Sequence, residues 1–243
     1  MTTNDDDAFS GLIRKLERLI PLSEDDRSAI RSLPFEIASA APNHRLVREG
    51  DIATQCIILL KGYACRHKAT SAGGRQIVSF HVPGDILDLQ HLLLSRADHN
   101  VETITEATFA RVPVANLLRI VQERPAINEG LWRDTLIDAS IFREWVLNVG
   151  RRDARSRIAH MLCEFAVRRE KAGLGSRELF ELPMTQEQIA DATGLASVQV
   201  NRVLHDLAQK GVVVRGEHEI GITDWRTMCQ IADFDPAYLH EAG

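Results

Sequence analysis

One stretch constrains this chain more than any other: Leu182–Val214, reading LPMTQEQIADATGLASVQVNRVLHDLAQKGVVV. Its punctuation specifies two short helices, a tight turn and a strand. Thr185, followed three residues later by Gln188, is a capping box in which hydroxyl and side-chain amide satisfy free N–H groups of a first helical turn. Ile189 and Ala190 face inward, and Ala190 is small where a second helix must cross close by. Gly194 can take the left-handed conformation that ends a helix, and Leu195 plugs the turn. From about Ser197 the apolar residues Val200, Val203, Leu204 and Leu207 recur at helical spacing. Gly211 stops that helix, and Val212–Val214 is β-branched. The pattern is a helix-turn-helix with a β-wing, an arrangement that lays its second helix in a DNA major groove.

Angular arithmetic supports this reading. At about 100° per residue the four apolar positions form one stripe. Val198, Arg202, His205 and Gln209 form the opposite one, flanked by Gln199 and Asn201. A solvent-facing helix gains from Lys and Glu pairs; this face carries amides, one Arg, a His and a Val, groups suited to base edges and phosphates. A helical hairpin in an all-α subdomain would share the spacing, but not cap, small residue, turn glycine and wing together.

With 243 residues, 44% of them hydrophobic and 26% charged, the chain can form one large or two ordinary globular domains. Its formal net charge is −5, so contact with nucleic acid must come from a local basic patch. Arg151, Arg152, Arg155 and Arg157 are the densest such group. They read equally well as a phosphate-facing or hinge cluster and as a solvated face paired with Asp153 and nearby acids. Cys56, Cys65, Cys163 and Cys229 form no C-x-x-C pair, which argues against a zinc ribbon or a local iron–sulfur loop. They read as reduced, buried thiols of a reducing compartment. The acidic start MTTNDDDAF lacks the parts of a signal peptide, and no stretch approaches the length of a membrane span. The expected location is the cytoplasm, with no membrane partner.

Taken in order, Phe9–Ile20 has one apolar helical face, and Ser23 with Asp26 caps a short helix toward Leu33. Between Glu36 and Pro113 the texture is that of short strands: Arg45–Arg48, Cys56–Lys61, Ala64–Lys68, Gln76–His81, Val101–Thr105 and Thr108–Val112. Glycines at Gly50, Gly62, Gly73-Gly74 and Gly84 mark the turns, a spacing that predicts a β-sandwich, roll or jelly roll. Asn116–Glu123 is a short helix. Ala126–Asn148 is a long one whose apolar surface, including Trp132 and Trp145, is wider than one core-facing stripe requires. Its second face is expected to meet a symmetry mate, or else its own chain. Gly150 is expected to break that helix, with Arg152–Lys171 following as another. Glu178–Leu182 is expected as a strand, Val212–Arg215 and Glu219–Ile222 as the wing hairpin around Gly216, and Asp224 as the cap of a helix to Ala232. The expected division is 1–113, 114–150 and 151–243.

The whole succession resembles the Crp/Fnr family of bacterial transcription regulators. The resemblance is carried by VREGD (Val47–Asp51), IILLKGYA (Ile57–Ala64), PGDIL (Pro83–Leu87) and above all TQEQIADATGLASVQVNRVLHDLAQKGVV (Thr185–Val213). It implies an α+β fold: a double-stranded β-helix or jelly-roll sensor domain like that of cyclic-nucleotide-binding proteins, a long dimerisation helix, and a C-terminal winged helix-turn-helix. It also implies a homodimer on a pseudo-palindromic operator in double-stranded DNA, with RNA polymerase as a protein partner. In nucleotide-binding members PGDIL opens a phosphate cassette with Gly-Glu and closes on Arg-Ser-Ala. Here Gly84 stands, Asp85 replaces Glu, and the finish reads Ala97-Asp98-His99, with Arg96 one position early. Gly84, Asp85 and Arg96 are the effector-binding candidates, yet Asp98 would repel a cyclic phosphate where an Arg would neutralise it. Cyclic AMP is therefore doubtful. No cysteine precedes Cys56, so no iron–sulfur cluster is expected; His44, His67, His81, His91 and His99 are available to haem, but no spacing singles one out.

On the recognition helix, Arg202 is expected to bond guanine N7 and O6. Val198, where many members carry Glu, could pack on a thymine methyl. Gln199 and Asn201 are candidates for adenine or phosphate, Ser197 for a cap or phosphate, His205 for phosphate or base, and Thr185 for phosphate through its hydroxyl and the helix N-terminus. The expected function is a sequence-specific, DNA-binding transcription regulator. The alternative is a ligand-sensing β-roll with vestigial or partner-dependent DNA binding. No nucleophile–base pair, metal-ligand spacing or phosphate loop supports an enzyme.

Overall fold

The sequence CIILL (Cys56–Leu60) is apolar without alternation, which requires a strand covered on both faces. The structure, a computed structural model describing residues 8–216 and 219–240, shows how. Strands β1 (Glu36–Ala40), β3 (Gln55–Lys61) and β7 (Ala107–Pro113) form one antiparallel sheet in the order β1-β7-β3. Strands β2 (Arg45–Val47), β4 (Ala64–Ala69), β5 (Arg75–His81) and β6 (Asn100–Thr103) form a second, in the order β2-β6-β4-β5. Val47, Ile57, Leu59, Val101 and Phe109 close a core between the sheets. The alternate residues of β3 and β7, namely Cys56, Ile58, Ala110 and Val112, face a second core. Helices cover that side: α1 (Ser10–Glu17) with Leu12 and Leu16, α2 (Glu24–Arg31) with Ile30, and α3 (Val114–Glu123) with Leu117 and Ile120. Ile127 and Leu131 from the start of α4 (Pro125–Arg151) complete it. The Ser23–Asp26 capping box opens α2 as expected, with Asp26 N–H donating to Ser23 Oγ at 3.2 Å.

At Gly84 the turn after β5 has φ +98°, and a Cβ there would lie 2.8 Å from the backbone carbon and oxygen of Gly11. Only glycine permits α1 to cross this turn so closely.

The chain divides into two compact units, one holding residues 8–67 and 80–139 and the other 68–79 and 140–240. In the second, α5 (Ala154–Lys171) is the central element, buried along Ile158, Met161, Leu162, Phe165 and Ala166. Helices α6 (Gln186–Thr193), α7 (Ser197–Gln209) and α8 (Trp225–Ala232) surround it, with a small antiparallel sheet ordered β8 (Leu179–Glu181), β10 (Glu219–Ile222), β9 (Val213–Arg215). Glu164 of α5 accepts hydrogen bonds from Trp145 Nε1 at 3.1 Å and Tyr238 Oη at 2.8 Å. Its carboxyl is pushed up by burial. His160 is wholly buried against the rings of Phe234 and Tyr238, at centroid distances of 5.3 and 5.8 Å.

Three expectations are corrected. Strand β1, on Glu36-Ile37-Ala38-Ser39-Ala40, was not anticipated; it is a largely exposed edge strand that, among the described residues, pairs with β7 alone. Helix α4 does not break at Gly150 but continues to Arg151, and the chain turns at Asp153, which caps α5 by accepting from Ser156 N–H at 2.9 Å. One exposed helical glycine costs only about 1 kcal/mol, too little to end a helix of 27 residues. Cys56, Cys65 and Cys163 are buried, whereas Cys229 is partly exposed. The acidic start and the end of the C-terminal tail, 241–243, lie outside the described residues.

Candidate nucleic-acid interface

The helix-turn-helix forms where its sequence signals place it. Thr185 and Gln188 make the reciprocal capping box of α6, with Gln188 N–H donating to Thr185 Oγ1 at 3.1 Å and Thr185 N–H to Gln188 Oε1 at 2.9 Å. Thr185 is exposed, and its hydroxyl hydrogen is still available to an acceptor. Gly194 sits at φ +65°, ending α6 in the left-handed conformation. Val200, Leu204 and Leu207 of α7 are buried. On the opposite side Ser197, Val198, Gln199, Asn201, Arg202 and His205 are all exposed, Val198 to 70%. No hydrogen bond or ion pair within the chain holds Arg202 among the described residues, so its planar donor fork is uncommitted.

Two of these residues differ from expectation. Ser197 is the first residue inside α7, not its cap; Ala196 holds the cap position. Gln199 closes the start of the helix instead, its Oε1 accepting from Ala196 N–H at 3.0 Å. One lone pair of the Gln199 carbonyl is thereby used, and its amino group makes no hydrogen bond among the described residues.

The arginine cluster is neither a uniform phosphate face nor a solvated one. Arg152 has an almost buried side chain, reaching Glu144 at 3.0 Å and Asp233 at 3.3 Å. Arg157 donates to the backbone oxygens of Arg152 and Thr193, at 2.8 and 3.1 Å. The second of these satisfies a terminal carbonyl of α6. Both are braces of the fold. Arg155 pairs with Asp206 on α7 at 2.9 Å, tying α5 to the recognition helix, and Asp153 is spent as a cap. Arg151 remains exposed. Sequence reasoning missed Arg215, exposed on wing strand β9 and facing Ile220 of β10 in register. Its position one residue before the turn Gly216 was the available signal. The wing tip, residues 217 and 218, is outside the described residues.

In the β-roll, Asp85 is buried and fully engaged: Lys15 Nζ lies 2.9 Å from Oδ1, and Oδ2 takes His81 Nδ1 at 3.3 Å and Val82 N–H at 3.1 Å. Lys15 bonds Asp134 as well, at 2.7 Å. Burial pushes the His81 imidazole down, which favours its neutral form. Arg96 points elsewhere, giving its guanidinium to Gly50 O at 3.0 Å. Asp98 stands exposed and bonds His99 Nδ1 at 2.6 Å, and burial pushes His99 down to about 4. Asp98 and His99 thus place an acid and a neutral imidazole where a cation would answer a cyclic phosphate. Gly84, Asp85 and Arg96 thus have separate partners within the chain.

Residues 38–124 match the cyclic nucleotide-binding domain family, and residues 156–231 the Crp-like helix-turn-helix domain family. The chain is 30% identical over 165 residues to the nitrogen fixation regulation protein FixK of Bradyrhizobium diazoefficiens, covering 68% of each. It belongs to the Crp/Fnr family. This Crp/Fnr regulator is also 28% identical over 197 residues to the transcriptional activator protein FnrL of Cereibacter sphaeroides, covering 78% of this chain and 77% of the relative. Among solved structures, FixK2 from Bradyrhizobium japonicum superposes with a TM-score of 0.75 at 24% identity, over 82% of this chain and 98% of that one. The family consists of DNA-binding transcription regulators. Among the described residues no helix is long and apolar enough to cross a membrane, and no group of three or more His, Cys, Asp or Glu could hold a metal ion.

Proposed function

We propose that this Crp/Fnr regulator acts as a homodimer on a pseudo-palindromic operator, reading each half-site with the exposed face of α7. The observation that carries this is the division of α7 itself. Its apolar stripe is buried, while Arg202, Val198, Asn201 and His205 project with nothing in the described chain to answer them. Arg202 bonds guanine bidentately, Val198 packs against a thymine methyl, and Thr185 holds a phosphate at the α6 N-terminus. Arg215 adds a phosphate contact from the wing.

Dimerisation is supported by α4. Trp132, Leu136, Phe142, Val146 and Leu147 are 41–57% exposed along it, within an arc of about 140° at 100° per residue. Isolated surface apolar residues are ordinary, but a continuous stripe on one long helix is an association surface. Paired across a two-fold axis, it would present two recognition helices about 34 Å apart, one helical turn of DNA. Control of promoters follows from such binding together with contact to RNA polymerase in the cytoplasm. Cyclic AMP does not suit the β-roll on this reading, because Asp98 stands exposed where nucleotide-binding members carry a cation for the phosphate and Arg96 is bonded to Gly50 O.

The test is selection of bound sites from random DNA by the full chain, followed by titration of the selected site with Arg202→Ala. The variant should lose about 1–3 kcal/mol on the selected site and relax one base pair per half-site. Equal loss on every sequence would reduce Arg202 to a phosphate contact. A selected site without two-fold symmetry would overturn the dimeric reading.

A further inference from the structure

Helix α7, from Ser197 to Gln209, carries one acidic residue, Asp206. It stands four residues after Arg202. At about 100° per residue this puts it about 40° round the helix from Arg202, at the edge of the exposed face. A carboxylate there repels a phosphate backbone unless cations answer it, and two do. Arg155 Nη2, from the first turn of α5, lies 2.9 Å from Asp206 Oδ2. Lys210 Nζ, one turn farther along, lies 3.3 Å from the same oxygen. All three are surface groups: the Asp206 side chain is 34% exposed, that of Arg155 46% and that of Lys210 45%. The other acid beside Arg155 is Asp153, whose Oδ1 already accepts from Ser156 N–H at 2.9 Å.

The cations of this region therefore fall into three kinds. Arg152 and Arg157 are held in the fold by Glu144, Asp233 and backbone carbonyls. Arg202 is uncommitted. Arg155 and Lys210 stand between these extremes, exposed enough to reach a phosphate yet drawn to one carboxylate. We propose that Asp206 is a positioning residue for DNA binding: it holds Arg155 and Lys210 off the phosphates and so limits the sequence-independent part of the affinity. The proposal deepens the reading of α7 as the recognition helix and rests on it.

Cations that displace counterions from phosphates supply nearly all of the binding to random duplex, and each phosphate neutralised adds about 0.9 to the slope of log K against log salt. With the Asp206 charge removed, Arg155 and Lys210 become free donors beside the groove, and up to two phosphate contacts are gained. At about 0.1 M salt, one such contact is worth at most about eightfold in affinity. In the parent chain these two charges stay on Asp206, and α7 meets DNA with the groups that read bases. Exposed ion pairs contribute little to stability, and Val200, Leu204 and Leu207 anchor α7 from its buried side. Asp206 can therefore be neutralised without unseating the helix.

The experiment titrates a random-sequence duplex with the full chain by fluorescence anisotropy, over about 50–200 mM KCl. Asp206→Asn should bind several-fold more tightly than the parent and steepen the salt slope by about 1–2. Asp206→Glu keeps the charge and should behave as the parent does. In an Arg155→Gln background the steepening caused by Asp206→Asn should fall by about half, because only Lys210 is left to release. Urea unfolding midpoints of parent and Asp206→Asn should coincide. An unmoved slope in Asp206→Asn would overturn the proposal. Equal steepening with and without Arg155 would also overturn it, making Asp206 a plain repulsive charge. So would weaker binding together with a lowered unfolding midpoint, the mark of a brace for α7. No binding of duplex by the parent would instead overturn the reading of α7 itself, and the proposal with it.

Discussion

Leu136→Ala separates a self-association face from an ordinary solvent face. Leu136 is 57% exposed on α4. Complete burial of a leucine side chain is worth about 1.5–3 kcal/mol, so a seam that covered the exposed part would gain about 1 kcal/mol per protomer. A two-fold axis uses each residue twice, which brings the loss on truncation to about 2 kcal/mol per dimer, or about thirty-fold in the dissociation constant. Sedimentation equilibrium across the dissociation range should show that shift. Urea unfolding of the monomer should move by less than about 0.5 kcal/mol, because the side chain already faces water. Ile141→Ala is the counterpart: Ile141 is only 6% exposed, so its truncation should cost about 2–5 kcal/mol of monomer stability. The reasoning is refuted if Leu136→Ala and Phe142→Ala both leave self-association unchanged, or if Leu136→Ala destabilises the monomer as Ile141→Ala does.

Two further outcomes follow from buried geometry. Burial pushes the His160 imidazole down to about 3, with the Arg152 charge a lesser cause; Glu144 Oε2 lies 3.5 Å away but is already committed to Arg152 at 3.0 Å. The unfolded chain binds a proton near pH 6.5 that the fold refuses, so the contribution of His160 is complete above that pH and falls as the solution is acidified. Between pH 6.5 and 4.5 the loss should approach about 2–3 kcal/mol. Urea titrations of the parent and His160→Gln should differ in slope over that window, and parallel profiles would exclude His160 as the source. Gly84→Ala places a Cβ at 2.8 Å from Gly11 backbone atoms with φ +98°. It should lower the stability of the β-roll unit by about 1–3 kcal/mol. An unchanged unfolding midpoint would mean that α1 does not press on that turn.

The sequence was most informative where local chemistry alone decides structure. Thr185 with Gln188, Gly194, Gly211 and Asp224 each act on their own turn of backbone, and the elements they bound were readable before any tertiary contact was known. Strand β1 was not, because an exposed edge segment of Ile, Ala and Ser carries little alternation and is defined by its partner β7. The arginine cluster was ambiguous for the same reason. Arg152 finds Asp233 at 81 residues' remove and Arg157 finds Thr193 at 36, and no local pattern announces either. Asp85 was read as a substitution in a ligand cassette. Its partner Lys15, 70 residues earlier, turns it into a fixed part of the roll.

The bonded carbonyl of Gln199 bears on the operator's alphabet. A glutamine free at both ends can recognise adenine by giving to N7 and taking from N6. With Oε1 bonded to Ala196 N–H, pairing both ends with adenine would have to share or break that bond, whereas the amino group can give on its own. A lone donor in the major groove is answered alike by adenine N7, guanine N7 or O6, and thymine O4. If α7 is seated as proposed, the base pair opposite Gln199 should be less strictly specified than the one assigned to Arg202.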